Sequence, residues 1–258
     1  MKNKPVINWK IFWILYTASI IGIIAIMPYA LTLQADLLKD ISFPMSFLIA
    51  ISIGQSALMF FFLTFVGLYL SEKTGFDIPL IKHFLHKKEL KEKLGSLIGI
   101  SIGFGILAAV LIIAGDYILA LIQPTSLNQS NTIPPVWQGF LTSFYGGINE
   151  EIMLRLFFMS FLVFLFIKIK KTSDGQASSL VIWIAILISA TLFGLLHLPF
   201  TASITTITPV IILRAIILNA IGGIIFGWLY WKKGLESAMI SHFSADIVLH
   251  AILPLFLL

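Results

Sequence analysis

The sequence contains no cysteine. A disulfide framework and a thiol nucleophile are therefore excluded, since both need cysteine side chains. Charged residues are also scarce: they make up 11% of the 258 residues, whereas hydrophobic residues make up 59%. The mean hydropathy of +1.00 lies far outside the range of a soluble domain, so the composition predicts a multispanning membrane protein.

Seven apolar runs are long enough to cross a bilayer, which takes about 20 helical residues. They cover residues 9–31, 44–70, 97–121, 137–167, 180–198, 209–231 and 235–258. The first run is too long for a signal-peptide core and has no small-residue cleavage site after it, so we expect it to be retained. The expected fold is all-α: a polytopic bundle of about seven transmembrane helices that forms a single membrane domain over residues 1–258.

Lysine placement predicts the orientation of this bundle. If the N-terminus lies inside, Lys39 is the single lysine of the outer segments. The inner segments then carry Lys2, Lys4, Lys10, Lys73, Lys82, Lys87, Lys88, Lys91, Lys93, Lys168, Lys170, Lys171, Lys232 and Lys233. Cytoplasmic loops are enriched in Lys and Arg, so we expect the N-terminus inside, in the plasma membrane if the cell is bacterial. The net charge of +5 then reflects orientation and contact with membrane lipid, and it does not indicate a nucleic-acid partner.

The longest inner segment, residues 71–93, predicts a short amphipathic helix on the inner leaflet. Its apolar residues at helical spacing are Leu80, Ile81, Phe84 and Leu85.

Two pairs of glycines at four-residue spacing predict close contacts between membrane helices. They are Gly99 with Gly103 and Gly223 with Gly227. No internal repeat is evident in the sequence, which weighs against the inverted-repeat architecture of many transporters.

Two acids and an arginine, Glu150, Glu151 and Arg155, lie inside the fourth apolar run. Each charge at bilayer depth costs about 2.5 to 3.5 kcal/mol on insertion scales, so these residues must have partners or a function. Glu151 and Arg155 are four residues apart and meet on one helix face. Two adjacent carboxylates cannot both ionise cheaply in a low dielectric. Neutralisation of Glu151 by Arg155 therefore leaves Glu150 as the natural general base.

Histidines and a further acid occur in two later runs. His197 ends the fifth run, and the seventh run carries His242, Asp246 and His250 at successive four-residue steps, which places them on one stripe of that helix. Polar groups of this kind should face the bundle interior. Together with Glu150 they indicate hydrolytic chemistry.

The sequence leaves two hydrolytic mechanisms open. Glu150, His197, His242 and Asp246 could hold a zinc ion that lowers the pKa of a bound water. Alternatively, Glu150 and His197 could activate water directly while His242 and Asp246 steady the oxyanion. We slightly favour the metal-free route, because a free carboxylate beside a neutralised one needs no metal to act as a base. The His-Glu-x-x-His signature of common zinc proteases is absent from the sequence.

Three motifs occur in chain order, each within a predicted membrane span: Glu-Glu-x-x-x-Arg at 150–155, Phe-x-x-x-His at 193–197 and His-x-x-x-Asp at 242–246. In this order they resemble the membrane-embedded CAAX prenyl endopeptidase and bacteriocin-processing family, known as CPBP or Abi. The similar region covers residues 138–250. The resemblance implies an intramembrane endopeptidase that acts on a membrane-bound peptide or protein, in CAAX processing, bacteriocin or peptide maturation, or bacteriocin self-immunity.

The resemblance also implies residue roles. Glu150 would activate the water and His197 would help to hold it, while Glu151 and Arg155 support the site. His242 and the residue four positions later would stabilise the oxyanion. The family likeness also implies substrate access from the inner half of the membrane.

Asp246 departs from the asparagine that is frequent in the eukaryotic enzymes of this family. Because an ionised aspartate donates no hydrogen bond, Asp246 would have to be protonated, bind a metal or orient His242.

Helix lengths set a geometric condition on this hypothesis. At about 1.5 Å per residue from the inner helix ends, Glu150 and His197 lie roughly 25 and 28 Å deep, but His242 and Asp246 only about 10 and 16 Å. Strong tilts, or a break near Gly146, would be needed to bring them together.

Two other classes of function remain open. A non-catalytic interaction or immunity protein could keep the polar constellation for packing alone. A transporter could use Arg214, Asn219 and Asp116 as an ion path, although a mutual pair of Arg214 with Asp116 is the simpler explanation.

Overall fold

The computed structural model describes residues 7–39, 41–122, 134–169 and 176–256. The residues of these four stretches are 87% helical and include no strand. The prediction of an all-α bundle is confirmed. Among the described residues, seven helices are long and apolar enough to cross a membrane, at Trp9–Leu33, Met45–Thr74, Leu94–Ile122, Val136–Ile169, Ser179–Ile204, Pro209–Lys233 and Leu235–Phe256.

We number the helices in chain order. They are α1 (Trp9–Leu33), α2 (Ala35–Leu38), α3 (Met45–Thr74), α4 (Pro79–His86), α5 (Leu94–Ile122), α6 (Val136–Ile169), α7 (Ser179–Leu196), α8 (Leu198–Ile204), α9 (Pro209–Lys233) and α10 (Leu235–Asp246). The long helices cross alternately, so the end of α1, the start of α6 and the end of α7 lie at one end of the bundle. Most lysines of the described residues lie at the opposite end.

Two helices leave the α-helical form where the polar motifs lie. Within α6, residues Tyr145–Glu150 and Ile152–Met159 are π-helical. The last helix likewise becomes π-helical after Asp246, at Ile247–Ile252. π-Helical turns are rare and occur frequently at functional sites. The two π-helical segments of α6 meet at Glu150 and Glu151, and that of the last helix begins directly after Asp246.

The close approach of α7 and α9 confirms one of the two predicted glycine contacts. A Cβ atom on Gly223 would lie 2.8 Å from Ala190 Cα, and one on Gly227 would lie 3.2 Å from Ile186. In contrast, a Cβ on Gly99 or Gly103 would meet nothing within 4 Å. That prediction was wrong, because α5 turns this face outward.

The helix predicted in the longest inner segment is present as α4. Its first turn packs on the start of α10: the N–H of Leu235 donates to Asp77 O at 3.1 Å, and the N–H of Ile81 donates to Glu236 Oε1 at 2.8 Å. Leu80 is buried against the protein, whereas Phe84 is exposed. The helix therefore closes the lysine-rich end of α10 with one apolar face and directs the other outward.

Candidate active site

A buried ion pair lies at the centre of the bundle. Arg155 Nη1 is 3.0 Å from Glu151 Oε1, and the two side chains are 1% and 0% exposed. The predicted pairing of these residues is confirmed.

The Arg155 guanidinium is held on its other sides by α7 and α9. Its Nη2 donates to the carbonyl oxygen of Gly223 at 3.2 Å. The guanidinium carbon lies 5.3 Å from the ring centre of Phe193 and 5.5 Å from that of Phe226, within the range of cation–π attraction. The charge of Arg155 is therefore compensated without access to water.

His242 joins the same carboxylate from α10. Its Nδ1 lies 2.8 Å from Glu151 Oε1, and because a carboxylate only accepts, Nδ1 carries the hydrogen. The ring stacks on Phe226 with centroids 4.5 Å apart and meets the edge of Phe193 at 5.5 Å. Contacts with Glu151, Phe226 and Phe193 thus hold the imidazole in place. Its Nε2 atom faces Glu150 and Asp246.

Glu150 and Asp246 flank that Nε2 atom. Glu150 Oε2 is 3.6 Å from it and Asp246 Oδ1 is 3.7 Å from it, both slightly beyond hydrogen-bond distance. Gly146 makes room for this arrangement, because a Cβ there would collide with the Asp246 carboxylate and lie 3.2 Å from His242 Nε2. The two adjacent glutamates therefore differ in environment: the Glu150 side chain is 17% exposed, and that of Glu151 is fully buried.

His197 lies beside this cluster without touching its polar atoms. Its Nδ1 lies 2.8 Å from the carbonyl oxygen of Phe193, so Nδ1 donates and the neutral ring presents Nε2 as an acceptor. The Phe193 ring stands between the two histidines, 4.9 Å from His197 and 5.5 Å from His242. Among the described residues, no direct contact joins His197 to Glu150, His242 or Asp246.

The expected difference in depth between the motifs does not keep Glu150 away from His242. The Glu150 and Asp246 carboxylates lie 3.6 and 3.7 Å from His242 Nε2. The geometric condition set by the sequence is met for Glu150, His242 and Asp246.

A metal site is not formed by these side chains as they stand. Within the stretches that the structure describes, no group of three or more His, Asp or Glu residues is arranged to hold a metal ion.

The residues of the predicted ion path are paired structurally. Arg214 Nη2 lies 2.5 Å from Asp116 Oδ1, which confirms the simpler of the two explanations. The Asn219 amide donates to Ala215 O of its own helix at 2.8 Å.

Sequence reasoning missed three contributors to the site. Phe226 stacks on His242, and Tyr29 lies against His250, with ring centres 5.9 Å apart. Neither aromatic stands out in a chain with 22 phenylalanines and 6 tyrosines. Gly146 was noted as a possible helix break, whereas its role is to admit the Asp246 carboxylate.

The fold and the site together define a polytopic membrane protein with an acid–histidine–arginine cluster at its centre. Residues 132–248 match the family model described as Type II CAAX prenyl endopeptidase Rce1-like, so over this region the chain is similar to that family. The seven apolar helices of the described residues, together with this match, support an integral multi-pass membrane protein. No curated protein and no solved structure matches the chain closely enough to count as a relative.

Proposed function

We propose that this chain is an intramembrane endopeptidase in which Glu150 is the general base and His242 stabilises the oxyanion. The observation that carries the proposal is the division between adjacent carboxylates. Glu151 is buried and bound to both Arg155 and His242, while Glu150 is partly exposed and lies 3.6 Å from His242 Nε2. One acid positions the site and the other is free to take a proton.

The chemical step follows from these positions. Glu150 takes a proton from water as the water oxygen bonds to the scissile carbonyl carbon, and the carbonyl oxygen becomes an oxyanion. The C–N bond then breaks, and Glu150 returns the proton to the leaving amine. Such a base contributes about 10²- to 10⁴-fold to the rate.

His242 can donate to the oxyanion only in its imidazolium form, since its Nδ1–H is committed to Glu151. The carboxylates of Glu151 and Asp246 lie 2.8 and 3.7 Å from the His242 ring nitrogens and are placed to accompany a positive charge there. In this proposal Asp246 orients His242 and does not itself donate. His197, with Nδ1–H bound to Phe193 O, would accept a hydrogen bond from the water through Nε2.

The substrate in this proposal is a peptide segment held at the membrane, cleaved in CAAX-type processing or in the maturation or neutralisation of a bacteriocin-like peptide. In a bacterial cell the enzyme would act in the plasma membrane.

The direct test is Glu150→Gln, which keeps the size and polarity of the side chain but cannot accept the proton. Two fluorogenic peptides serve as substrates: one ends in a prenylated cysteine and three further residues, and the other lacks the prenyl group. We expect Glu150→Gln to abolish the cleavage that wild type shows with either peptide. Thermal stability in detergent should be unchanged. The control is Glu89→Gln, an exposed acid outside the bundle. Equal activity of Glu150→Gln and wild type would eliminate Glu150 as the base.

Metal dependence is tested separately by elemental analysis, chelation and re-addition of zinc. We expect activity to survive a chelator in purified protein. Stoichiometric zinc whose removal and return switch activity off and on would contradict the metal-free step.

The burial of Glu151 and Arg155 equally favours a packing network in a non-catalytic interaction or immunity protein. In that case Glu150→Gln would leave the biological readout unchanged, whereas loss of Arg155 would abolish it by unfolding the protein.

A further inference from the structure

The exposure of the site rises steadily along the last helix. The side chain of His242 is 5% exposed, that of Asp246 12% and that of His250 40%. These residues follow one another at single turns on one stripe, so the gradient runs along the helix axis. The polar stripe therefore becomes accessible toward the C-terminal end of this helix.

The opposite end of the stripe is closed. Leu235, Ser237 and Ala238 are 0% exposed. The Ser237 hydroxyl is hydrogen-bonded to that of Ser101 on α5, 2.5 Å away. The contacts of Asp77 and Ile81 with the start of α10 place α4 over this end. On the stripe itself, Ala238 and Leu235 lie four and seven residues before His242 and are apolar, so the polar stripe does not continue toward the lysine-rich surface.

Ends of four helices surround the accessible part of the stripe. His250 Nε2 lies 3.9 Å from Asp246 Oδ1, and the His250 ring meets Tyr29 near the end of α1. A Cβ on Gly139, in the first turns of α6, would collide with the His250 carbonyl oxygen. His197 stands at the end of α7. All four belong to the end of the bundle that faces away from the lysine-rich surface.

The surface at this end is apolar and carries little net charge. Its lysine, Lys39, is paired with Asp36 at 2.6 Å. Leu37 and Phe43 are 54% and 62% exposed. A cavity of about 310 Å³ lies near the end of α1, and its lining begins two residues after Tyr29. It is lined by Leu31, Ala35, Leu38, Lys39 and Met45.

We propose that the substrate reaches the site from the end that carries Tyr29, His197 and His250, as an apolar, membrane-seated peptide segment. This inference rests on the proposed function and specifies its substrate. If the lysine-rich end is cytoplasmic, as the positive-inside rule requires, the peptide arrives from the outer side of the membrane.

The absence of native cysteine permits a direct test with single-cysteine variants. The probe is His250→Cys, with Tyr29→Cys as a second position should the first fail to fold. Lys39→Cys and Lys91→Cys report the two ends of the bundle, and Ser237→Cys reports the closed end of the stripe. Each protein is treated with a membrane-impermeant maleimide in right-side-out and in inverted vesicles.

We expect His250→Cys and Tyr29→Cys to be labelled in the vesicle orientation in which Lys39→Cys is labelled. In the opposite orientation neither variant should be labelled. Ser237→Cys should remain unlabelled in both. The proposal is overturned if His250→Cys is labelled in the orientation that labels Lys91→Cys, in both orientations or in neither. It is also overturned if Ser237→Cys is labelled in the orientation that labels Lys91→Cys. Because the readout needs no proteolysis, this proposal and the peptidase assignment can fail separately.

Discussion

Two charged clusters in this protein have similar geometry in opposite surroundings. In the bundle centre, Glu151 lies 3.0 Å from Arg155 and 2.8 Å from His242. At the lysine-rich end of the bundle, next to α4, Asp77 lies 2.7 Å from Lys82 and 3.1 Å from Lys88. The central side chains are at most 5% exposed, whereas those of the peripheral cluster are 23% to 56% exposed.

Distance alone therefore does not set the value of an ion pair in this protein. Partly exposed pairs are screened by water and salt and contribute about 0 to 1 kcal/mol. A buried pair repays a large desolvation cost only while it is complete, so the loss of one partner leaves an uncompensated charge. The comparison predicts that the central cluster is essential for folding. The peripheral cluster should contribute only a little stability, at the contact between α4 and α10.

The largest expected effect on stability is that of Arg155→Ala. Removing the guanidinium leaves the Glu151 carboxylate buried without its arginine partner, which costs about 3 to 5 kcal/mol. We expect a large fall in thermal stability in detergent together with loss of activity. Lys82→Ala, which removes one partner from Asp77, is the matched control and should shift the melting temperature only slightly. Equal losses in the two variants would show that burial does not separate the clusters.

A smaller effect is expected from Gly146→Ala. The added methyl group would collide with the Asp246 carboxylate beside His242, and overpacking of this kind costs about 1 to 3 kcal/mol. Activity should fall more than stability, because the displaced groups are those proposed to act on the substrate. Both are measured on purified protein, by peptide cleavage and by thermal denaturation.

Gly103→Ala makes the same chemical change where a Cβ meets nothing within 4 Å. It should be neutral or slightly stabilising, since alanine is the better helix former by about 0.5 to 1 kcal/mol. A Gly146→Ala enzyme as active as Gly103→Ala would show that the space at Gly146 is not needed.

Much of this architecture follows from local sequence. The seven spans depend on hydrophobic length, and the Glu151–Arg155 pair depends on four-residue spacing and the cost of charge in lipid; neither needs long-range information. The Glu150–His242 contact was also expected, because few partners are available to ionisable groups inside a membrane.

What the sequence could not supply depends on helix geometry and on contacts between helices. The π-helical turns within Tyr145–Met159 lack a distinctive residue pattern, so the sequence did not predict them. The separation of His197 from His242 by Phe193 depends on how α7 is rotated against α10. The outward orientation of Gly103 likewise depends on the rotation of α5, whose Gly105 makes the close approach to Ser241 and Ser244 instead.

The smallest predicted effect concerns Asp77. Partial burial raises the pKa of its carboxyl, but hydrogen bonds and charge from Lys82 and Lys88, together with the N–H of Ile78, outweigh this and lower the pKa to about 2. A lowered pKa contributes stability that is present above the unfolded value of about 3.9 and is lost as the pH falls toward 2.

Asp77→Asn should therefore be less stable than wild type at pH 7 by about 1 kcal/mol after solvent screening. The difference should shrink as the pH falls below about 4, and it should also shrink with added salt, since exposed pairs are screened. Thermal denaturation in detergent between pH 7 and pH 3 measures it. Asp36→Asn, which breaks a pair whose side chains are 72% and 79% exposed, should show no measurable change. A deficit in Asp77→Asn that widens in acid would show that the carboxyl is destabilised by its surroundings. The junction of α4 with α10 would then depend on the contacts of Asp77 O with Leu235 and of the Ile81 N–H with Glu236.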